Sequence, residues 1–94
     1  MGKDIVKMIE KATRNEGKWV KGGMPWMCRY VRGTYEVLHY GYEILIVDSV
    51  NRRFQVDEWA YSISDVRCIN SVLGELGFME RVGLKEGKIG VKVV

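Results

Sequence analysis

In the first fifteen residues apolar positions return every three or four. Ile5, Met8, Ile9 and Ala12 share one face of a helix, and Lys3, Lys7, Lys11 and Arg14 occupy the other sides. Asn15 and Gly17 supply its stop. Lys18-Trp19-Val20-Lys21 is a candidate short strand ahead of the breaker Gly22-Gly23. The period then falls to two. Residues 26–32 alternate, Gly33-Thr34 break the run and residues 35–41 alternate again, which predicts a hairpin turning at Gly33-Thr34. Residues 42–48 are β-branched and apolar on both faces, as a central strand requires. Ser49-Val50-Asn51-Arg52 turn the chain, and residues 53–59 return with Phe54 and Val56 on one face and Gln55 and Asp57 on the other.

A second helix is predicted over residues 63–76. Ser62 and Asp65 have the spacing of a capping box, with Asp a weaker third-position partner than Glu. Val66, Ile69, Leu73 and Leu76 form its apolar stripe, with Asn70 at the edge. Gly77 is a left-handed terminator, after which Phe78 can fold back. A hairpin closes the chain, residues 79–84 and 88–94, turning at Lys85-Glu86-Gly87; Val82, Leu84, Ile89, Val91 and Val93 alternate with polar neighbours. The expected order is α-β-β-β-β-α-β-β: an α+β fold whose mostly antiparallel sheet carries the helices on one face. No linker, repeat or low-complexity stretch divides residues 1–94, so a single domain is expected.

Composition adds a constraint on the aromatics. Three Trp, five Tyr and two Phe in 94 residues are ample for one core. A domain of this size hides only about 60–65% of its unfolded surface, so some of them must stay exposed. No apolar run approaches the roughly 18 residues of a membrane span. Met1-Gly2-Lys3-Asp4 leads into the amphipathic segment with no apolar signal core, and Val6 stands where a myristoylation signal needs Ser or Thr. With two cysteines forty residues apart, a cytoplasmic protein with reduced thiols is expected. Charge is segregated: residues 1–33 carry eight Lys or Arg against three acids, residues 34–80 three against eight, and residues 81–94 four against one. In a compact fold these blocks either neutralise one another or leave a basic and an acidic face.

Tyr40-Gly41-Tyr42-Glu43-Ile44, a turn after Asp48, and then Tyr61-Ser62-x-Ser64 with Ile69-Asn70 form a pattern. Over residues 35–78 it resembles short uncharacterised phage and prophage proteins, in which a Tyr-Gly-x-Glu/Thr-Ile strand leads through a hairpin to a Tyr-Ser-x-Ser/Thr helix start. The position often basic or His in those proteins is Cys68 or its neighbour Arg67 here. The resemblance implies a mobile-element accessory protein and carries no activity with it.

Catalytic and metal chemistry find little footing. Cys28, His39 and Cys68 lack the short spacings of structural zinc, so no metal and no cofactor are expected. Neither phosphate-loop pattern occurs, and the glycines between residues 83 and 90 suit a hairpin. A turn at Gly33-Thr34 would set Cys28 directly opposite His39, the minimum for an activated thiol, with space-filling as the plainer role for both. Asp57 and Glu58, adjacent on a strand, would point to opposite faces and make no acid/base pair.

Two binding roles remain. Tyr30, Tyr35, Tyr40 and Tyr42 beside Arg29 and Arg32 suit base stacking and phosphate contact, with Lys18, Lys21, Arg52 and Arg53 extending the footprint; Arg29, Arg52 and Arg53 are the candidate nucleic-acid contacts. The acidic central block opposes that role. Trp, Tyr and Arg are equally the residues that anchor protein interfaces, and Trp26, Tyr30, Arg32 and Tyr40 are the candidate anchors. The sequence therefore favours a small binding protein without catalysis whose partner is a protein, a host protein or its own copy. Taken with the resemblance, this implies an accessory protein that inhibits a host enzyme or defence complex. Nucleic-acid binding is the second choice, and no membrane partner is expected.

Overall fold

A computed structural model describes residues 2–23 and 25–92. Within them the chain forms helix α1 (Gly2–Arg14), strands β1 (Trp19–Lys21), β2 (Trp26–Val31), β3 (Thr34–His39), β4 (Tyr42–Asp48) and β5 (Arg53–Val56), helix α2 (Ile63–Glu75), and strands β6 (Arg81–Lys85) and β7 (Lys88–Lys92). The α+β class and the antiparallel pairing agree with the sequence. The order gains one strand, because the short candidate before Gly22-Gly23 pairs with β2. The expected residue Val93 and its neighbour Val94 lie outside the described residues.

Strands β1 to β5 form an antiparallel meander in chain order, and β6–β7 form a separate two-stranded sheet. One meander face is the core face. Val20, Cys28, Val37, Leu45 and Val56 stand in one cross-strand row on it, and Tyr30, Tyr35, Val47 and Phe54 in the next. Ile5, Met8, Ile9 and Ala12 of α1 and Cys68, Ile69, Val72 and Leu73 of α2 are buried with that face in one cluster. The α1 face is the one its spacing predicts. The α2 stripe is rotated toward Asp65, Cys68 and Val72, leaving Val66 and Leu76 only partly buried. The opposite face, along Trp19, Arg29, Glu36, Ile46 and Gln55, is open.

Two turns depart from expectation. The β2–β3 hairpin turns at Arg32-Gly33, with φ of 50° and 86°, not at Gly33-Thr34. Trp26 therefore pairs with His39, Cys28 with Val37 and Val31 with Thr34. The second hairpin turns at Tyr40-Gly41, φ 53° and 82°, ending β3 at His39. Positive φ at both central residues matches the right-handed strand twist, and glycine supplies one of the two at no steric cost. Tyr40 adopts its own left-handed conformation at a cost of about 1–2 kcal/mol.

β5 is also shorter than expected. It stops at Val56, because the Asp57 carboxylate accepts the Trp59 N–H at 3.1 Å and the Asp57 carbonyl accepts the Ala60 N–H at 3.0 Å. That bends residues 57–60 into a turn. Both ends of α2 match the sequence. The Ser62–Asp65 capping box is complete. At the other end Phe78 N–H donates to the Leu73 carbonyl at 2.9 Å and Gly77 N–H to that of Gly74 at 3.1 Å. With Gly77 at φ 80° this is a Schellman closure. Asn70 clamps the last hairpin to α2, accepting the Val82 N–H at 2.7 Å and donating to the Val82 carbonyl at 3.1 Å. No helix among the described residues is long and apolar enough to cross a membrane.

Candidate functional site

A β-bulge prepares the site. Val37 pairs with Leu45 but Leu38 with Glu43, so Ile44 is the extra residue. Uninterrupted pairing would place Glu43 opposite His39. The bulge places Tyr42 there instead, on the helix-bearing side, and sends Glu43 to the open face. There burial pushes the Glu43 carboxyl above its usual range, and neighbouring Glu36 and Asp57 push it further.

The consequence is a cleft of about 350 Å³ where the β3–β4 turn meets the start of α2. It is lined by His39, Tyr40, Tyr42, Trp59, Tyr61, Ser62 and Asp65. Trp59, delivered by the turn after β5, stacks on Tyr42 with centroids 4.6 Å apart. His39 lies flat on Trp26 at 3.9 Å and 11°, and Tyr40 is tilted beside it at 4.7 Å and 34°. Four aromatics are exposed around this opening: Tyr40 by 72%, Tyr42 by 54%, Trp59 by 51% and Tyr61 by 66%.

A buried carboxylate holds the floor. Asp65, 1% exposed, binds His39 Nδ1 through Oδ1 at 2.7 Å. Its Oδ2 accepts Tyr61 N–H at 3.0 Å, Ser62 N–H at 3.1 Å and the Ser62 hydroxyl at 2.8 Å. Burial alone would raise the Asp65 carboxyl, but the hydrogen bonds from Tyr61, Ser62 and His39 outweigh it and hold it below the usual carboxylate range. Asp65 is thus a pure acceptor at neutral pH, so Nδ1 of His39 carries the proton. In the neutral ring Nε2 is then a fixed acceptor at the cleft.

An Asp–His pair of this kind orients a general base when a nucleophile stands beside it. The aliphatic hydroxyl in the lining, that of Ser62, is consumed by the cap, as it also accepts the Asp65 N–H at 3.2 Å. The expected facing of Cys28 and His39 does not occur, because the turn lies one residue earlier and Cys28 meets Val37. Cys28 and Cys68 are free and fully buried; burial pushes the Cys28 thiol up to about 12 and raises Cys68 as well. Among the described residues no group of three or more His, Cys, Asp or Glu comes together to hold a metal ion.

The sequence-derived anchors do not form one patch. Tyr40 is on the cleft rim, but Trp26 is 7% exposed and supports His39 from below. Tyr30 is half-buried against Tyr35 at 4.6 Å. Arg32 is exposed in the turn at the far end of the β2–β3 hairpin, its N–H donating to Glu16 at 2.8 Å. Two of the candidate nucleic-acid contacts are committed within the fold. Arg29 pairs with Glu36 at 2.7 Å and lies 4.5 Å over the Trp19 ring. Arg52 donates to the Leu76 and Gly77 carbonyls at 2.9 and 2.8 Å. Arg53 is exposed on β5, its charge helping to lower Asp48.

Trp59, Tyr61 and the His39–Asp65 pair escaped sequence reasoning as site residues. Strand alternation places Trp59 at the end of the expected strand 53–59, and the capping-box spacing gives Asp65 a role in the cap alone. The signal was the crowding of aromatics in Tyr40-Gly41-Tyr42 and Trp59-Ala60-Tyr61. Compared with family models, with curated proteins and with solved structures, the chain finds no match.

Proposed function

We propose that this is a small non-catalytic binding protein that holds a protein partner at the aromatic rim of the cleft. The observation that carries the reading is the convergence of Tyr40, Tyr42, Trp59 and Tyr61, each more than half exposed, around one opening with a hydrogen-bonding floor. Tyr and Trp desolvate a large area at low entropic cost, which makes such clusters the energetic centres of interfaces. With the resemblance of residues 35–78, the setting we infer is an accessory protein that blocks a host enzyme or defence complex by contact. Base stacking is the competing use of aromatics. It is disfavoured here by Asp57 and Glu58 in the turn that carries Trp59 and by the internal engagement of Arg29 and Arg52.

Affinity capture from a bacterial lysate tests the reading, with nuclease treatment and with a folded Tyr42→Ala/Trp59→Ala control. The expected result is a stoichiometric protein complex that survives nuclease and is lost in the control. A complex that disappears with nuclease, or one indifferent to both substitutions, contradicts it.

A further inference from the structure

The fold twice seats a guanidinium on an aromatic ring. Arg29 lies 4.5 Å over Trp19 while bound to Glu36. Arg52 lies 4.1 Å over Phe78 while donating to two carbonyls. Each seat combines a π face with an acceptor in reach of the planar N–H fork.

The cleft offers the same two elements without an internal cation. Tyr42 and Trp59 present a stacked aromatic surface, and His39, bound to Asp65 through Nδ1 and stacked on Trp26, has Nε2 as an acceptor when its ring is neutral. No Lys or Arg lines it among the described residues. The electrostatics favour a cation. Asp65 keeps its charge one imidazole ring away. Arg52 is tied to the opposite end of α2, about 20 Å away for a helix of 13 residues.

Building on the reading of the rim as a protein-binding surface, we propose that the cleft is the seat for an arginine side chain of the partner. The guanidinium packs against the Tyr42–Trp59 pair and donates to Nε2 of the neutral His39 ring. A nucleobase would meet the same π faces with the wrong surrounding charge. A lysine ammonium lacks the planar face and the fork.

The test is an NMR titration of the wild-type protein, following the Trp59 indole N–H and the His39 ring signals. The probe is Nα-acetyl-arginine amide, set against its uncharged citrulline analogue, Nα-acetyl-lysine amide and AMP. The arginine probe is expected to shift both residues with a Kd of about 1–30 mM, at least about tenfold tighter than citrulline, and to lose this in Trp59→Leu. Equal response to citrulline, tighter binding of AMP, or no shift at about 50 mM arginine probe overturns the proposal. Probe failure beside rim-dependent capture from lysate defeats the arginine seat and leaves the protein-contact reading standing. Arginine binding beside rim-independent capture upholds the seat and removes the rim from the captured interface.

Discussion

The two ends of α2 solve the same problem in opposite ways. Each must satisfy orphan backbone groups next to aromatic side chains. At the C-terminal end the solution is closed. Phe78 is 5% exposed, edge-on to Phe54 at 5.5 Å, and Arg52 covers its ring while capping the helix carbonyls. At the N-terminal end the polar groups are equally well satisfied by Ser62, Asp65 and His39, yet the surrounding aromatics stay in solvent. Helix capping therefore does not account for the exposed rings. The proposed contact role rests on that difference: apolar surface left in solvent beside a finished hydrogen-bond network.

The comparison predicts where the molecule is fragile. The largest loss belongs to the layer both ends share. Leu73, fully buried against the sheet, should cost roughly 2–5 kcal/mol as Leu73→Ala in urea unfolding. A loss below about 1 kcal/mol would mean that α2 does not carry the core.

Next comes the floor of the open end. Asp65→Asn removes a buried charge and weakens three donated hydrogen bonds and the His39 pair, at a cost of about 3 kcal/mol near neutral pH. Its acidity fixes the sign. A carboxyl held below its unfolded value stabilises above about pH 4 and loses that contribution as pH falls through its folded pKa. The difference between wild type and Asp65→Asn should therefore shrink steadily below about pH 4. Asp48, lowered by its contacts with Asn51, titrates in the same sense in both proteins and cancels. A difference that is constant down to about pH 2 would show that Asp65 is not ionised in the fold.

A smaller effect sharpens the contrast at the last hairpin. Two strands alone are marginal in water, and Asn70 holds both backbone groups of Val82. Asn70→Ala should cost about 1–2 kcal/mol and speed amide exchange in β6 and β7 before the meander. Uniform acceleration across the chain would make the hairpin part of the main cooperative unit.

The sequence disclosed what is local. The α1 stripe, the capping box and the Gly77 stop each lie within one helix turn or two, where spacing alone sets the geometry. Neither hairpin turn is legible because Arg32 in the first and Tyr40 in the second take left-handed backbone usually given to Asn or Gly, so the turn dipeptides do not announce themselves. The cleft was illegible for a different reason. It joins residues 39–42 to residues 59–65 only after the bulge at Ile44 sets Tyr42 on the helix-bearing side and the Asp57 turn delivers Trp59. Neither event has a periodic signature. Of the four proposed anchors only Tyr40 reached the rim, since residue type could not separate Trp26, which supports His39, from Trp59, which faces solvent.

The smallest expected stability effect makes the most direct test. Trp59→Ala should be measured for both unfolding free energy and retention of the nuclease-resistant complex. The account predicts a stability loss of no more than about 1.5 kcal/mol, the worth of its stack on Tyr42, together with loss of the complex. A fall of about 2 kcal/mol or more would make Trp59 part of the core, and an intact complex would place the binding surface elsewhere; either result contradicts the account.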